Sequence, residues 1–549
     1  MCKLEFVFVF VLHTVYADDL VLDINDGPIR GVLQETDSGK TFYAFKGIPY
    51  AQPPLGELRF KPPRFPQPWS DVLDTTEDSQ SCISVKHFDN ADAESEDCLY
   101  INVYTPSLKP TENLAVLFWI YGGGFTNGNS SEELYGPHYL IEEDVVLVTF
   151  NYRLGPFGFV STGDSAISGN AGLKDQSFAL NWTYHNIQLF GGDPKKITIF
   201  GQSAGGASCG LHLISKKSSG LFRAAICQSG SALTYWTALE DPLAYAYDLT
   251  KLIDSSLVDK NDTYRIRDVL KNATVEEITQ AVYNLAATNR QVWPVVEPES
   301  EDAFIAESHY ALLESGNFQR VPLMTGVTSE ESLYFIPDIW TLLAAAVGYD
   351  LSPEQLVPSN FHPISNVTQR EVGQQIANIY LKNGGGFLTN LAAVIKFNTD
   401  NGFVRSVLKQ AELHSNYAPV YLYQFSFYEP SASIGVQLPG NDTGKAAHTA
   451  ELRYLFNITA YRGSEVSAEG LLTRKRMTKL WSNFAKTLNP TPQVTELFQK
   501  VTWLPIEADH LTYLNIDEMM SMEPYLKQTT YQKWNEIFDK YAQHPLVTY

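Results

Sequence analysis

The sequence predicts an α/β protein, with a large, mainly parallel sheet covered by helices. Three observations carry that expectation. Short runs rich in Val, Ile, Leu and aromatics, such as Leu114–Tyr121 and Val145–Tyr152, are nearly continuously apolar. Strands buried on both faces read this way, and helix-covered parallel sheets are built from them. Helical stretches alternate with these runs, as Leu173–Phe190 does before Ile197–Phe200. Finally, Ile197–Phe200 leads into Gly201-Gln202-Ser203-Ala204-Gly205 and then into an apolar helical run, Ala207–Ile214. Strand, sharp turn and helix is the setting in which a serine is lifted out of a sheet.

The elements follow in order. Leu20–Gln34 reads as a hairpin around Asn25-Asp26-Gly27, a turn signal between alternating residues. Phe42–Ala51 is extended, and Pro53–Phe60 is a loop rich in turn residues. Leu99–Tyr104, Leu114–Tyr121 and Val145–Tyr152 are strands of the parallel sheet, followed by the helix Leu173–Phe190 and the turn at Ser203. Ala224–Gln228, Pro322–Val327 and Val420–Phe427 are later strands. Between these, Leu233–Arg320 and Leu333–Ala418 have mostly helical patterning. They are expected to be helical excursions over the edge that carries Ser203, forming a deep pocket. Lys475–Leu488 and Tyr531–Tyr541 are amphipathic helices that pack on the core. No Pro/Gly/Ser-rich linker divides the chain, so one domain is expected over residues 18–549.

Composition narrows the class. The 549 residues are 44% apolar, 19% charged and 13% aromatic, which is a globular balance, and the formal net charge is −22. So negative a surface argues against nucleic acid and anionic membrane as partners. Met1–Ala17 reads as a signal peptide, with Lys3, the apolar Phe6–Leu12 and the small-residue end Val15-Tyr16-Ala17. The mature chain would begin at Asp18. No later apolar run reaches the roughly 18–20 residues of a membrane span. The end, Leu546-Val547-Thr548-Tyr549, is neither a retention signal nor an anchor tail, so secretion without a membrane anchor is expected. Sequons stand at Asn129, Asn181, Asn261, Asn272, Asn366, Asn441 and Asn457, those at Asn181 and Asn457 beside apolar residues. Cys82 and Cys98 enclose a polar, acidic stretch, where a disulfide would stabilise by roughly 3 kcal/mol in the chain-entropy view. Cys209 and Cys227 lie in apolar runs and read as small buried hydrophobes. No Cys/His cluster has metal-ligand spacing, and neither metal nor cofactor is expected.

Ser203 is the candidate nucleophile. Its glycine neighbours let strand and helix approach closely around a strained backbone. A second match, Gly206-Ala207-Ser208-Cys209-Gly210, follows no strand. Ser208 would lie inside the helix, about 140° round from the turn, bonded to a carbonyl. A nucleophilic serine needs oxyanion donors, a base and an acid that orients the base. Tyr121-Gly122-Gly123-Gly124-Phe125 follows a strand and can aim backbone N–H groups at an anion; Gly123, Gly124 and Ala204 are the expected donors. On this strand–turn–helix scaffold the acid follows the serine and the histidine comes last. Thr328-Ser329-Glu330-Glu331-Ser332 offers two adjacent carboxylates, and the residues alone do not choose between them. Among His362, His414, His448, His510 and His544, His448 stands out, in the small-residue loop Gly444–Thr449 after a strand. A histidine base must be neutral to act, so activity is expected to fall in acid.

With these residues assembled, the chain resembles the type-B carboxylesterases, the family of cholinesterases, vertebrate carboxylesterases and insect esterases. Matching motifs run through the whole mature chain. They are Phe45-Lys46-Gly47-Ile48-Pro49-Tyr50-Ala51, Leu58-Arg59-Phe60, Glu96-Asp97-Cys98-Leu99-Tyr100-Ile101-Asn102, the triple glycine and Asn151-Tyr152-Arg153-Leu154-Gly155. Gly169-Asn170-x-Gly172-Leu173-x-Asp175-Gln176, Phe190-Gly191-Gly192-Asp193-Pro194, the Ser203 turn and Gln228-Ser229-Gly230-Ser231 complete them. The resemblance implies an α/β-hydrolase fold and hydrolysis of a small-molecule carboxylic ester through an acyl-enzyme. It implies Glu331 as the acid, His448 as the base, a Cys82–Cys98 disulfide and Ser229 as a hydrogen-bond partner of the acid. Two departures bear on substrate. Cholinesterases carry a choline-binding Trp between the first paired cysteines and a Glu before the nucleophile; here residues 83–97 contain no Trp, and Gln202 precedes Ser203. Gln at that place resembles insect juvenile hormone esterases. Ser332 replaces the glycine often found after the acid. Neutral esters are therefore the expected substrates, as for xenobiotic, odorant or hormone-ester turnover. The alternatives are a juvenile-hormone-esterase-like enzyme or an adhesion relative that has lost catalysis, and the latter disagrees with the complete set of catalytic positions.

Overall fold

The apolar runs become the middle of one eleven-stranded sheet. In chain order its strands are β1 (Val32–Glu35), β2 (Thr41–Pro49), β3 (Tyr100–Thr105), β4 (Leu114–Ile120), β5 (Val145–Phe150) and β6 (Gly192–Gln202). They continue with β7 (Ala224–Gln228), β8 (Leu323–Thr328), β9 (Val420–Phe425), β10 (Tyr513–Ile516) and β11 (Ser521–Glu523). Across the sheet the order is β11-β10-β9-β8-β7-β6-β4-β5-β3-β2-β1. The computed structural model describes residues 20–85, 94–288, 290–381, 384–438, 440, 443–461 and 466–549. Met1–Ala17, read above as a signal peptide, and the sequon at Asn441 lie outside the described residues.

Strands β5-β4-β6-β7-β8-β9-β10 are parallel neighbours, and β4 to β8 are buried almost throughout. The register Gly201↔Ile120 and Gly201↔Cys227 seats the end of β6 between β4 and β7. Two readings need correction. Leu99–Tyr104 was grouped with the parallel strands, but β3 is antiparallel to both β2 and β5. Its burial on both faces produces the same apolar run whichever way the strand points, so the pattern carries no direction. The strands β10 and β11 are only four and three residues long, too short for the alternation of β10 to mark a strand in the sequence. At the N-terminus, Val21–Ile24 and Gly27–Arg30 form the expected hairpin, which joins Leu73–Asp74 in a separate small sheet, while the following strand crosses into the large one.

Both long insertions are helical. The first contains Pro242–Ile253, Thr263–Asn272, Val275–Ala286 and His309–Glu314; the second contains Ile339–Leu351, Gln369–Tyr380, Leu391–Thr399 and Arg405–Ser415. The second is interrupted at Asp400–Val404 by a π-helical turn, an expansion by one residue. Motifs singled out in the sequence map onto ion pairs: buried Arg153 forks onto Asp175 at 2.7 Å through both Nε and Nη2, and half-buried Arg59 pairs with Glu96. Cys82 and Cys98 are disulfide-bonded, and Cys209 and Cys227 are free and buried. Asn261, Asn272 and Asn366 are exposed, Asn129 and Asn181 are half-buried, and Asn457 is 7% exposed. Among the described residues no helix is long and apolar enough to cross a membrane.

Candidate active site

Ser203 sits at the carboxyl end of β6 with φ 59° and ψ −124°, followed at once by the helix Ala204–Ile214. A non-glycine residue reaches such a conformation only when its surroundings over-determine it. They do so through backbone packing. A Cβ on Gly205 would stand 1.9 Å from the Ile120 oxygen, and one on Gly206 2.6 Å from the Gln228 oxygen. The Ser203 N–H donates to that same Gln228 oxygen at 2.9 Å. Ser203 keeps part of its surface open. Ser208, by contrast, is fully buried in the helix, and its hydroxyl accepts from Gln176 Nε2 at 3.1 Å. It does not bond a helix carbonyl as expected, but begins a buried polar chain. His212 Nε2–H donates to Gln176 Oε1 at 3.0 Å, and His212 Nδ1 meets Ser218 Oγ at 2.6 Å. Burial pushes His212 down to about 3, so it stays neutral.

The paired carboxylates separate. After β8 the chain turns so that Glu331, fully buried, faces His448: Nδ1–H donates to Oε2 at 2.5 Å. The other oxygen of Glu331 accepts from Ser229 Oγ at 2.6 Å and from the Thr328 N–H at 2.7 Å. Three donors thus fix one carboxylate and, through it, the imidazole plane. Glu330 points elsewhere, accepting from Thr399 Oγ1 and the Gly444 N–H, each at 3.1 Å. Burial raises its carboxyl above the ordinary range. Ser332, beside the acid, donates to the Ile395 oxygen at 2.8 Å.

The glycine turn lies against the serine. A Cβ on Gly122 would stand 2.9 Å from that of Ser203. Gly123 and Gly124 take φ 112° and 63°, and a Cβ on Gly123 would stand 2.1 Å from the Asn127 oxygen, so the turn requires glycine there. The amides of Gly123 and Gly124 donate no backbone hydrogen bond among the described residues. Ala204 opens a helix, where the N–H has no partner within the helix. None of the three amides expected as oxyanion donors is thus committed to a backbone partner among the described residues.

Several neighbours were not legible as site residues. Rings of Phe403, Phe335 and Tyr334 stand 4.5, 5.7 and 5.9 Å from the His448 ring. Trp236 lies between Phe125 and Phe403, at 6.1 and 6.3 Å. Phe403 belongs to the π-helical turn, and Trp236 to the first insertion, so the insertions wall the site as expected. Glu451, three residues after His448, is fully buried and accepts from Gln228 Nε2 at 3.1 Å. Burial, then the nearby Glu331, raises its carboxyl to about 7. No hydrogen bond among the described residues joins Ser203 to His448; the Gln202 amide nitrogen is 3.0 Å from His448 Nε2. No group of three or more His, Cys, Asp or Glu converges as a metal site among the described residues.

Comparison with known proteins gives concordant findings. The family model described as Carboxylesterase family matches residues 18–534. Juvenile hormone esterase of Tribolium castaneum is 33% identical over 525 residues, covering 89% of this chain and 87% of that protein. Acetylcholinesterase 1 of Caenorhabditis elegans is 32% identical over 553 residues, covering 93% of this chain and 86% of that protein. The crystal structure of juvenile hormone esterase from Manduca sexta, with OTFP covalently attached, superposes with a TM-score of 0.82 at 28% identity, covering 95% of this chain and 100% of that one.

Proposed function

The chain belongs to the carboxylesterase family and is a carboxylic ester hydrolase, and from that premise we propose that Ser203, His448 and Glu331 carry the reaction within one catalytic domain over residues 18–549. The observation that supports this most is the 2.5 Å contact of His448 Nδ1 with Glu331, beside a serine held at positive φ. With its proton on Nδ1, the imidazole has Nε2 free to accept the Ser203 proton as Oγ attacks the ester carbonyl. The amides of Gly123, Gly124 and Ala204 take the oxyanion. Imidazolium then protonates the leaving alcohol, and water, deprotonated by the same histidine, releases the acid from Ser203. Glu331 stays ionised and steadies the imidazolium. Stoichiometric labelling by an organophosphate, located by peptide mass spectrometry, tests the nucleophile; a label on any residue but Ser203 rejects it.

The proposed substrate class is argued from two residues of the cholinesterases that this sequence lacks, the Trp between the paired cysteines and the Glu before the serine, although other rings wall the site. A quaternary ammonium needs an aromatic face in place of its water, a contribution of about 2 kcal/mol or more when desolvated. Residues 83–97 offer no Trp, and Gln202 puts no charge beside the histidine. Loss of about 2–3 kcal/mol corresponds to about 30–150-fold in specificity. The −22 charge attracts cations, but salt screens that pull beyond about 10 Å. Neutral carboxylic esters are the proposed substrates. The similarity to an acetylcholinesterase keeps choline esters as the competing reading, and kcat/KM for acetylthiocholine against an uncharged thioester of equal size decides between them. A clear advantage for the choline ester rejects the proposal. The disulfide, the exposed sequons and the N-terminal apolar run support secretion. Mass spectrometry of protein from the culture medium of eukaryotic cells is expected to show an N-terminus at Asp18 and glycans on Asn261, Asn272 or Asn366.

A further inference from the structure

Gln202 closes β6 immediately before Ser203, and it is only 2% exposed. Its Nε2 stands 3.0 Å from Nε2 and 3.4 Å from Nδ1 of His448. The lone pairs of the two ring nitrogens diverge. A single donor this near to both therefore lies over the N–C–N side of the ring, on neither lone-pair axis. Nδ1 is left to Glu331, and the Nε2 lone-pair direction stays open for a hydroxyl. Gly122 makes the space: a Cβ there would stand 2.6 Å from the Gln202 backbone oxygen and 3.2 Å from its Oε1. Phe403 and Phe335 pack against the same ring.

We propose that Gln202 is a positioning residue, whose amide N–H end, set against the His448 ring, disfavours a second proton on it between turnovers. The groups facing His448 set what that contact opposes. Glu331 is bonded to it and favours the imidazolium, while Glu451, held neutral by burial below about 7, acts on it only by its charge at higher pH. Tyr334 adds a neutral ring at 5.9 Å. The partial positive charge of the carboxamide N–H acts in the opposite sense, at closer range than any group but Glu331. A base that rests protonated cannot take the serine proton, so this contact sets how far into acid the enzyme works.

The inference rests on His448 as the base, and the test separates the two. kcat/KM for p-nitrophenyl acetate, an uncharged ester, is measured from pH 5 to 9 in wild type, Gln202→Glu and Gln202→Met. In parallel the His448 imidazole is titrated by NMR in selectively labelled protein, its signal assigned by His448→Ala. Gln202→Glu is expected to move the acid limb and the NMR titration upward together by about one unit, which is about tenfold in rate below the limb. Its plateau above pH 8 should stay within about tenfold of wild type. Gln202→Met, close in size and without the N–H, is expected to move both upward by less, and it serves as the test if Gln202→Glu does not fold. A shift in the NMR titration without one in the rate supports the inference and rejects His448 as base. A lowered plateau with neither midpoint moved is what mere packing would produce, and it overturns the inference.

Discussion

The chain spells Gly-x-Ser-x-Gly twice in ten residues, and the two copies have opposite fates. In Gly201–Gly205 the serine ends a strand, takes positive φ and keeps an open side. In Gly206–Gly210 the serine lies within a helix, is fully buried and completes a hydrogen-bonded chain through Gln176 to His212. Glycine is needed in both copies, since a Cβ on Gly210 would also stand 2.6 Å from the Ala232 nitrogen. The difference is therefore not glycine content but the element each serine inherits: a parallel strand delivers its serine to the sheet edge, and a helix turns its serine into the core. The same contrast recurs at Glu330 and Glu331, two identical side chains that a turn points at different partners.

Four tests, on five substitutions, would break or sharpen that contrast. The largest effect is expected from Ser203→Ala, with kcat lowered by about five to six orders of magnitude in a folded protein. Active Ser203→Ala together with inactive, folded Ser208→Ala would falsify the distinction. Next, Glu331→Gln is expected to lower kcat by about 10⁴, because an amide cannot hold the imidazole tautomer or steady the imidazolium. Glu330→Gln should stay within about tenfold in the same assay; equal losses would mean that the turn does not sort the pair.

The third concerns a carboxyl that resembles Glu331 only in being buried beside it. Glu451 titrates near 7 in the folded protein and near the ordinary glutamate value when unfolded. The stability from its neutral form is complete below about 4.5 and is lost as pH rises through 7, by about 3 kcal/mol in total. Glu451→Gln should flatten that part of the profile, as read from urea midpoints at pH 4.5, 6 and 8. A slope unchanged by the substitution would show that Glu451 is charged throughout. The smallest effect is that of Ser208→Ala on stability. It strands the Gln176 amide and should cost about 1–3 kcal/mol, with kcat/KM unchanged. A thermal midpoint equal to wild type would show that the buried chain is not needed.

The sequence was most informative where burial and chain direction are local. Strands β4 to β8, the turn at Ser203 and the helical insertions each carry a local pattern of their own. Strand direction in β3 does not, because burial on both faces erases it. The acid was legible only through resemblance to a family, since Glu330 and Glu331 differ in nothing but the rotation of the turn that bears them. Phe403 and Glu451 carried no signal at all. One is an aromatic in a helical stretch and the other a glutamate in a loop, and both matter only because the fold brings them to His448. Several motifs that revealed the family, including those holding Arg59, Glu96, Arg153 and Asp175, build the scaffold rather than the chemistry.

The π-helical turn at Asp400–Val404 has a consequence for how this enzyme can change. Such a turn amounts to one extra residue threaded between two ordinary helices, each of which keeps its own packing. Here the extra turn carries the ring that, among the described residues, lies nearest the imidazole proposed as the base. Losing one codon at Gly402, where a side chain would meet open space, lets the helix close up without moving its ends and withdraws that ring. A change of length can thus alter the wall of the site while leaving every residue proposed for catalysis untouched.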